Sequence, residues 1–222
     1  PIFANATSPE PGALTVEAVG RQWWFEFKYP HPTEPDEQVV TANELHIPVS
    51  EVVNVTLDSQ DVLHSFWIPK IAGKVDVVPN NTNTMWIQAD EPGEYLGQCA
   101  EFCGVAHAHM RFHVVAESRA DFDAWLLEQA GPAVESTDPL VKQGKNVFLR
   151  NCTLCHDTSS NMSRGPGGEL IKNKGGYEFG GPNLTHVASR GLLAAGVFNN
   201  RDESGRVNAA LFQDNLRAWL ED

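Results

Sequence analysis

The sequence predicts an all-β sandwich followed by a small helical region. Three observations carry this. Short alternating apolar runs recur up to residue 116, the period turns helical after Ser118, and a stretch of linker composition follows. The β runs cover 15–19, 23–29, 39–42, 44–48, 52–58, 65–68, 84–89, 93–97 and 111–116. Breakers separate them: Pro30, Pro32, Pro35, Pro69, Pro79 with Asn80-Asn81, and Pro92-Gly93. Many short strands with regular turn signals fit a sandwich. From Ser118, Phe122, Trp125, Leu126 and Leu127 recur at helical spacing, with Ser118 and Asp121 as the N-terminal cap and Gly131-Pro132 as the stop. The Glu, Ser, Thr, Asp and Pro of 133–139 read as linker. The expected organisation is therefore a first domain over 1–117, a helix and linker over 118–138, and a second domain over 139–222. In the second domain, 139–151 reads as a helix and 157–181 as a Gly-, Ser- and Asn-rich loop. An amphipathic helix over 209–221 places Leu211, Phe212, Leu216, Trp219 and Leu220 on one face.

Composition narrows the function. Hydrophobic residues at 41% and charged residues at 20% exclude disorder throughout. The 16 Lys+Arg against 29 Asp+Glu give a formal net charge of -13. That balance argues against nucleic acid or an anionic membrane as the main partner and favours a basic one, steered over distance. No apolar run approaches the ~20 residues of a membrane span, and no secretory pattern is present. The chain starts at Pro1 rather than Met, which leads us to expect a processed protein or a piece of a longer one.

Four cysteines fall in two pairs. Two disulfides or two pairs of buried thiols are the plainest reading, but each pair stands beside further metal-ligand side chains. The second pair lies in Cys152-Thr-Leu-Cys155-His156. This spacing is a c-type haem attachment signal. Two thiols add to the vinyl groups on one edge of a porphyrin, and the next residue presents an imidazole to the iron. A thioredoxin-like redox pair needs a βαβ setting that is absent, and half a zinc site needs two more ligands nearby. For the sixth iron position, Met162 lies close in sequence and His186 is the other candidate in the tail.

The first pair lies in Cys99-Ala-Glu101-Phe-Cys103-Gly-Val-Ala-His107-Ala-His109-Met110. Two thiolates, an imidazole and a thioether form a soft set that selects copper. One Cys suffices for a mononuclear blue-copper site; two can bridge a pair of coppers, each then needing one His and one weak axial ligand. His107 supplies one imidazole, and His64, just ahead of a strand, is the candidate for the other. Met110 and a backbone carbonyl within the Cys99–Cys103 loop supply the axial positions. His109 and His113 flank the motif but fit its spacing less well; His31 reads as solvated and His46 as packed. Trp67, Trp86 and Trp125 read as core. Of Trp23 and Trp24, one should pack and the other face out.

Residues 19–117 closely resemble subunit II of haem-copper cytochrome c oxidase. The motifs that carry the resemblance are Gln22-Trp23-Trp24-Phe25 with Tyr29-Pro30, Val62-Leu63-His64-Ser65-Phe66, Pro69, Gly73-Lys74-Val75-Asp76, Pro79, and Gln98-Cys99-Ala100-Glu101-Phe102-Cys103-Gly104 through His107 to Met110. The resemblance implies a cupredoxin Greek-key sandwich with a binuclear CuA centre. Its ligands would be His64, Cys99, the Glu101 carbonyl, Cys103, His107 and Met110. It also implies a magnesium ion held with the Glu101 side chain at the boundary with subunit I, and Trp23 as the point where electrons arrive.

The cytochrome-c-fused (caa3-type) class matches more closely still, because it carries a class I cytochrome c domain after the copper domain. In such cytochromes a Gly-Pro-x-Leu stretch follows the haem motif, here Gly181-Pro182-Asn183-Leu184, and the Pro182 carbonyl would orient His156. The family's axial Met lies beyond a stretch like Leu216-Arg-Ala-Trp219-Leu220, so a C-terminal truncation is expected.

On this resemblance, electrons from cytochrome c or a similar donor pass through haem c to CuA. They continue to subunit I, where oxygen becomes water, on the periplasmic or outer face of a bacterial cytoplasmic membrane. The family's two N-terminal membrane helices are missing from the sequence. The rival readings are a soluble CuA and haem carrier, a copper-delivery protein, or a subunit of a nitric oxide or nitrous oxide reductase.

Overall fold

The computed structural model describes residues 8–153, 155, 156, 158, 161–163 and 180–221. Ten strands build the first region: β1 Leu14–Arg21, β2 Trp24–Pro30, β3 Glu37–Ala42, β4 Glu44–Pro48, β5 Val53–Ser59, β6 His64–Trp67, β7 Lys74–Val77, β8 Asn83–Ile87, β9 Gly93–Cys99 and β10 Arg111–Glu117. They form two sheets, ordered β3-β2-β1-β5-β8 and β4-β10-β9-β6-β7. The pairs β1–β5 and β10–β4 are parallel, and the other pairings between these strands are antiparallel. This is the expected sandwich.

Alternation places the core. In β2, Phe25, Phe27 and Tyr29 point inward and are fully buried. On the other face, Lys28 pairs with Glu17 at 2.7 Å and Glu26 with Arg21 at 3.2 Å. Phe112 joins the two sheets, with ring centroids 5.0 Å from Phe25 and 4.7 Å from Phe66. Each such ring contributes about 1.5–3 kcal/mol by burial alone.

Asn43 makes the corner between the sheets. It is the one residue between β3 and β4, sits at φ 60°, and its side-chain oxygen accepts the Phe25 N–H at 2.9 Å. Asn tolerates this left-handed conformation better than a branched residue does. Tyr29 adds a second tie. Its hydroxyl accepts the His46 N–H at 2.8 Å and donates to the His46 carbonyl at 3.1 Å.

Helix α1, Arg119–Ala130, starts where expected, with the Ser118 hydroxyl accepting the Asp121 N–H at 3.2 Å. It is more than a connector, because Phe122 and Leu126 bury into the sandwich core. Trp125 stacks on His46 with centroids 3.9 Å apart, and His46 donates to Glu117 at 2.7 Å. Trp67, Trp86 and Trp125, expected as core, are only half-buried. Of the tandem pair, Trp24 is buried beneath the Arg21 guanidinium and Trp23 is half-exposed.

The region after the linker differs from the expected all-α domain. It contains α2 Pro139–Asn151 and α3 Ala209–Glu221, at the expected bounds, capped by the side chains of Asp138 and Asn208. It also contains short strands: β11 Asn161–Ser163, β12 Leu192–Leu193 and β13 Phe198–Asn199. β11 extends the first sheet by pairing with the open edge of β3, and β12 pairs with β13 across a 3-10 turn. Helix α2 buries no side chain and α3 buries only Phe212. The expected loop 157–181 lies mostly outside the described residues. Among the described residues, no helix is long and apolar enough to cross a membrane.

Candidate metal centre

Three neighbouring pieces of the second sheet bring the donors together. Cys99 is the last residue of β9, Met110 directly precedes β10, and His64 opens β6. The Cys99 N–H donates to the Met110 carbonyl at 3.0 Å, which closes the loop between them at its base. Within the loop, His107 lies in a 3-10 turn, its N–H donating to the Gly104 carbonyl at 3.1 Å.

The sulfurs of Cys99 and Cys103 lie 3.8 Å apart, and both are free thiols. This is well beyond the ~2.05 Å of a disulfide. It lies within the span of about 4.6 Å that one metal can bridge with two metal–thiolate bonds of about 2.3 Å each. His64 Nδ1 lies 3.9 Å from the Cys99 sulfur, and His107 Nδ1 3.5 Å from the Cys103 sulfur. The Met110 sulfur is 3.8 Å from Cys103, and the Cys99 thiol donates to the Glu101 carbonyl at 3.2 Å. All six residues expected as copper ligands therefore meet at one place. His64, Cys99 and Cys103 form a buried group with ligand atoms close enough to share one ion. His109 is exposed, and His113 turns away to Glu94 at 3.2 Å.

The thiols are electrostatically unequal. Burial opposes ionisation of Cys99, but its contacts with His64 and the local backbone bring it down to about 6. Burial and the charge on Cys99 push Cys103 up to about 12. A bound cation would remove the like-charge penalty on the second thiol, so this donor set suits a soft metal.

Two residues that sequence reading did not single out as site groups set the geometry. The Asp61 carboxylate accepts from His64 Nε2 at 2.7 Å, and also from the Gln22 N–H at 2.7 Å and the Val62 N–H at 2.6 Å. With Nε2 as the donor, Nδ1 presents its lone pair to the sulfurs. Burial alone would raise the Asp61 carboxyl, yet these hydrogen bonds hold it below the usual range. Burial lowers His64, but Asp61 and Cys99 more than offset that and raise it. The available signal was a carboxylate three residues ahead of a ligand-type His.

The other residue is Gln22. Its side-chain amide donates to the Cys103 carbonyl at 2.7 Å, and the Trp23 indole donates to the same oxygen at 3.0 Å. Both press on Gly104, which sits at φ 118°; a β-carbon there would lie 3.0 Å from Gln22 Nε2. Glycine is needed for both reasons.

A second cluster follows α2. Cys152 caps the helix, and the N–H groups of Cys155 and His156 both donate to its carbonyl, at 3.1 and 2.9 Å. Both cysteines are free thiols. His156 Nδ1 donates to the Pro182 carbonyl at 2.8 Å, which leaves the lone pair on Nε2. Gly181 lies flat against this ring: a β-carbon there would be 2.4 Å from His156 Cε1. The side chains therefore fit a covalently attached porphyrin with an imidazole ligand. His186, weighed for the sixth iron position, instead donates to the Gly131 carbonyl at 2.9 Å. Of Met162, only the backbone, within β11, is described.

Residues 32–118 match the family described as cytochrome c oxidase subunit II, periplasmic domain. The chain is 37% identical over 225 residues to cytochrome c oxidase subunit 2 of Alkalihalophilus pseudofirmus, covering 100% of this chain and 56% of that protein. It is 31% identical over 227 residues to cytochrome c oxidase subunit 2 of Bacillus sp. strain PS3, covering 98% of this chain and 56% of that protein. The chain thus spans little more than half the length of these relatives. The crystal structure of the periplasmic domain of subunit II of cytochrome oxidase of Bradyrhizobium japonicum is similar at 28% identity. It covers 53% of this chain and 93% of that one, with a TM-score of 0.48. The sequence match spans the strands that bring the clustered donors together, and over residues 32–118 this chain belongs to the cytochrome c oxidase subunit II family, as its periplasmic domain.

Proposed function

We propose that this chain is the electron-accepting part of a haem-copper terminal oxidase, taking electrons from cytochrome c or a similar donor and delivering them to subunit I. The observation that carries this reading is the pair of buried free thiols 3.8 Å apart, flanked by two imidazoles and a thioether. His64, Cys99, Cys103, His107, Met110 and the Glu101 carbonyl would hold a binuclear copper centre. When bound, such a centre supplies one-electron chemistry with the charge spread over two metals. Asp61 orients His64, and Gln22 with Trp23 fixes the Cys103 carbonyl, so the donors are in place before any metal arrives. The Trp23 indole, half-exposed and bonded to a ligand residue's carbonyl, is the point where we place the arrival of electrons.

Cys152, Cys155 and His156 would hold haem c, with Pro182 orienting the imidazole. In support, the likeness to both relatives runs over nearly the whole chain, beyond the sandwich. The Glu101 carboxylate would share a magnesium ion with subunit I. The net charge of -13 favours a basic donor. The site belongs on the outer face of a bacterial cytoplasmic membrane.

Metal and haem analysis with EPR on the loaded chain tests this. The expected result is about two copper ions and one haem per chain, with a seven-line copper pattern. One copper with a four-line pattern would refute it. Co-purification with a large haem-bearing membrane subunit separates an oxidase from a soluble shuttle.

A further inference from the structure

Beyond residue 132, the described buried positions are few: Asn183, Gly191, Leu192 and Phe212 together with the polar pair Arg190 and Asn200. Most of them lie where the chain returns to the sandwich along the β4 edge of the second sheet. On that edge Glu44 is only 4% exposed, and its carboxylate accepts the Gly191 N–H at 2.7 Å. The Arg201 guanidinium lies 2.5 Å from one oxygen of Glu94, on β9, and 3.7 Å from Glu44. His113, on β10, faces the other oxygen of Glu94 at 3.2 Å.

The returning segment is itself tied together. The Asn200 side chain donates to the Arg190 carbonyl at 3.0 Å, and Arg190 donates to the Asn183 carbonyl at 2.5 Å. A buried carboxylate is costly unless paired. The placement of Glu44 is explained by the partners that the C-terminal segment brings to it.

The clasp connects to both clusters. On one side, residues 194–196 form a 3-10 turn that rests against Arg111, the residue after Met110. On the other, Asn183 follows Pro182 and Gly181, which are hydrogen-bonded to His156 and Cys155 at 2.8 and 2.6 Å. We propose that the β4 end of the second sheet, formed by β4, β10 and β9, is a docking surface for residues 183–201, closed by Arg201 between Glu44 and Glu94. The clasp holds the Cys152–His156 turn at one fixed separation from the buried thiol pair. Its consequence for electron flow rests on the haem reading above; the docking itself does not. Arg201 acts here as a positioning residue.

The test uses the full chain with R201Q, R201K and E44Q, reading amide exchange at Gly191 and small-angle scattering. R201Q and E44Q should each speed Gly191 exchange about tenfold or more, the ratio expected when the charge-assisted bond from the Gly191 N–H to Glu44 is lost. R201Q should also broaden the particle, and R201K should restore part of both signals. Unchanged exchange within β5 shows that the sandwich is intact. Wild-type Gly191 protection and scattering in both R201Q and E44Q would overturn the proposal. A released clasp in a chain that binds no haem keeps the docking surface and removes the haem reading. Haem bound in a chain whose clasp residues are silent does the reverse.

Discussion

Replacing Asp61 with alanine removes an acceptor shared by three N–H groups. Two of these, the backbone amides of Gln22 and Val62, belong to exposed residues and recover a water partner at little cost. The third, Nε2–H of His64, belongs to a side chain with no exposed surface and is left without an acceptor. An unsatisfied buried donor costs about 1–3 kcal/mol, so D61A should lower the unfolding free energy of the metal-free chain by that amount. The imidazole also loses the contact that selects its tautomer. Removing such an orienting partner weakens metal binding by about 10–100-fold. Urea unfolding of the metal-free protein gives the first quantity, and copper titration against a competing chelator gives the second. D61N keeps an acceptor oxygen but not the charge, and should fall between the wild type and D61A. If D61A bound copper as tightly as the wild type and unfolded at the same urea concentration, the argument that Asp61 orients His64 would be wrong.

Three further outcomes are expected. C103S should bind one copper rather than two, and its EPR pattern should change from seven lines to four, read beside metal analysis. G181A places a methyl group 2.4 Å from His156 Cε1; it should displace the ring, cost about 1–3 kcal/mol by overpacking, and shift the absorption bands of the haem proposed at Cys152, Cys155 and His156. Glu94 is pushed up by burial but held below the usual Glu range by His113 and Arg201, with His46 adding to the effect. A carboxyl depressed in the folded state stabilises it above its unfolded pKa, and that contribution is lost as pH falls through the depressed value. Gly191 exchange should therefore accelerate only on acidification below the usual carboxylate range, and E94Q should flatten that response.

The sandwich was legible because its strands alternate. Nine runs were expected, and the strand that escaped was β7. Its four residues, Lys74-Val-Asp-Val77, bury only the last, so an edge strand with two charges carries almost no periodicity. The bounds of α2 and α3 were legible from apolar spacing, but what each packs against was not. The α1 helix reads as part of a linker, yet Phe122 and Leu126 belong to the core, because spacing gives a helix's apolar face and not its partner. The metal donors were legible because four of them fall within twelve residues and chemistry fixes their types. Asp61 was not, because a carboxylate in a turn resembles any solvated charge until its neighbour is seen. Glu44 and Arg201 are beyond pattern reading: nothing in either local sequence announces a contact across more than a hundred and fifty residues.

The two clusters share one construction. In each, the group that would bind metal is fixed through an atom that faces away from it. His64 is held at Nε2 by Asp61, so Nδ1 faces the sulfurs. His156 is held at Nδ1 by Pro182, so Nε2 is presented. The positions of Cys103 and Met110 are set through their carbonyls, by Gln22 with Trp23 and by the Cys99 N–H, not through their sulfurs. In a site built this way the donor groups are oriented by hydrogen bonds that do not themselves involve a metal. For a group that must change oxidation state repeatedly with little movement, that matters more than the strength of any one bond. It also explains why the strongest constraints at the centre come from residues that no ligand pattern contains, and why substitutions at Asp61 or Gln22 should disturb the metal while leaving every ligand in the sequence.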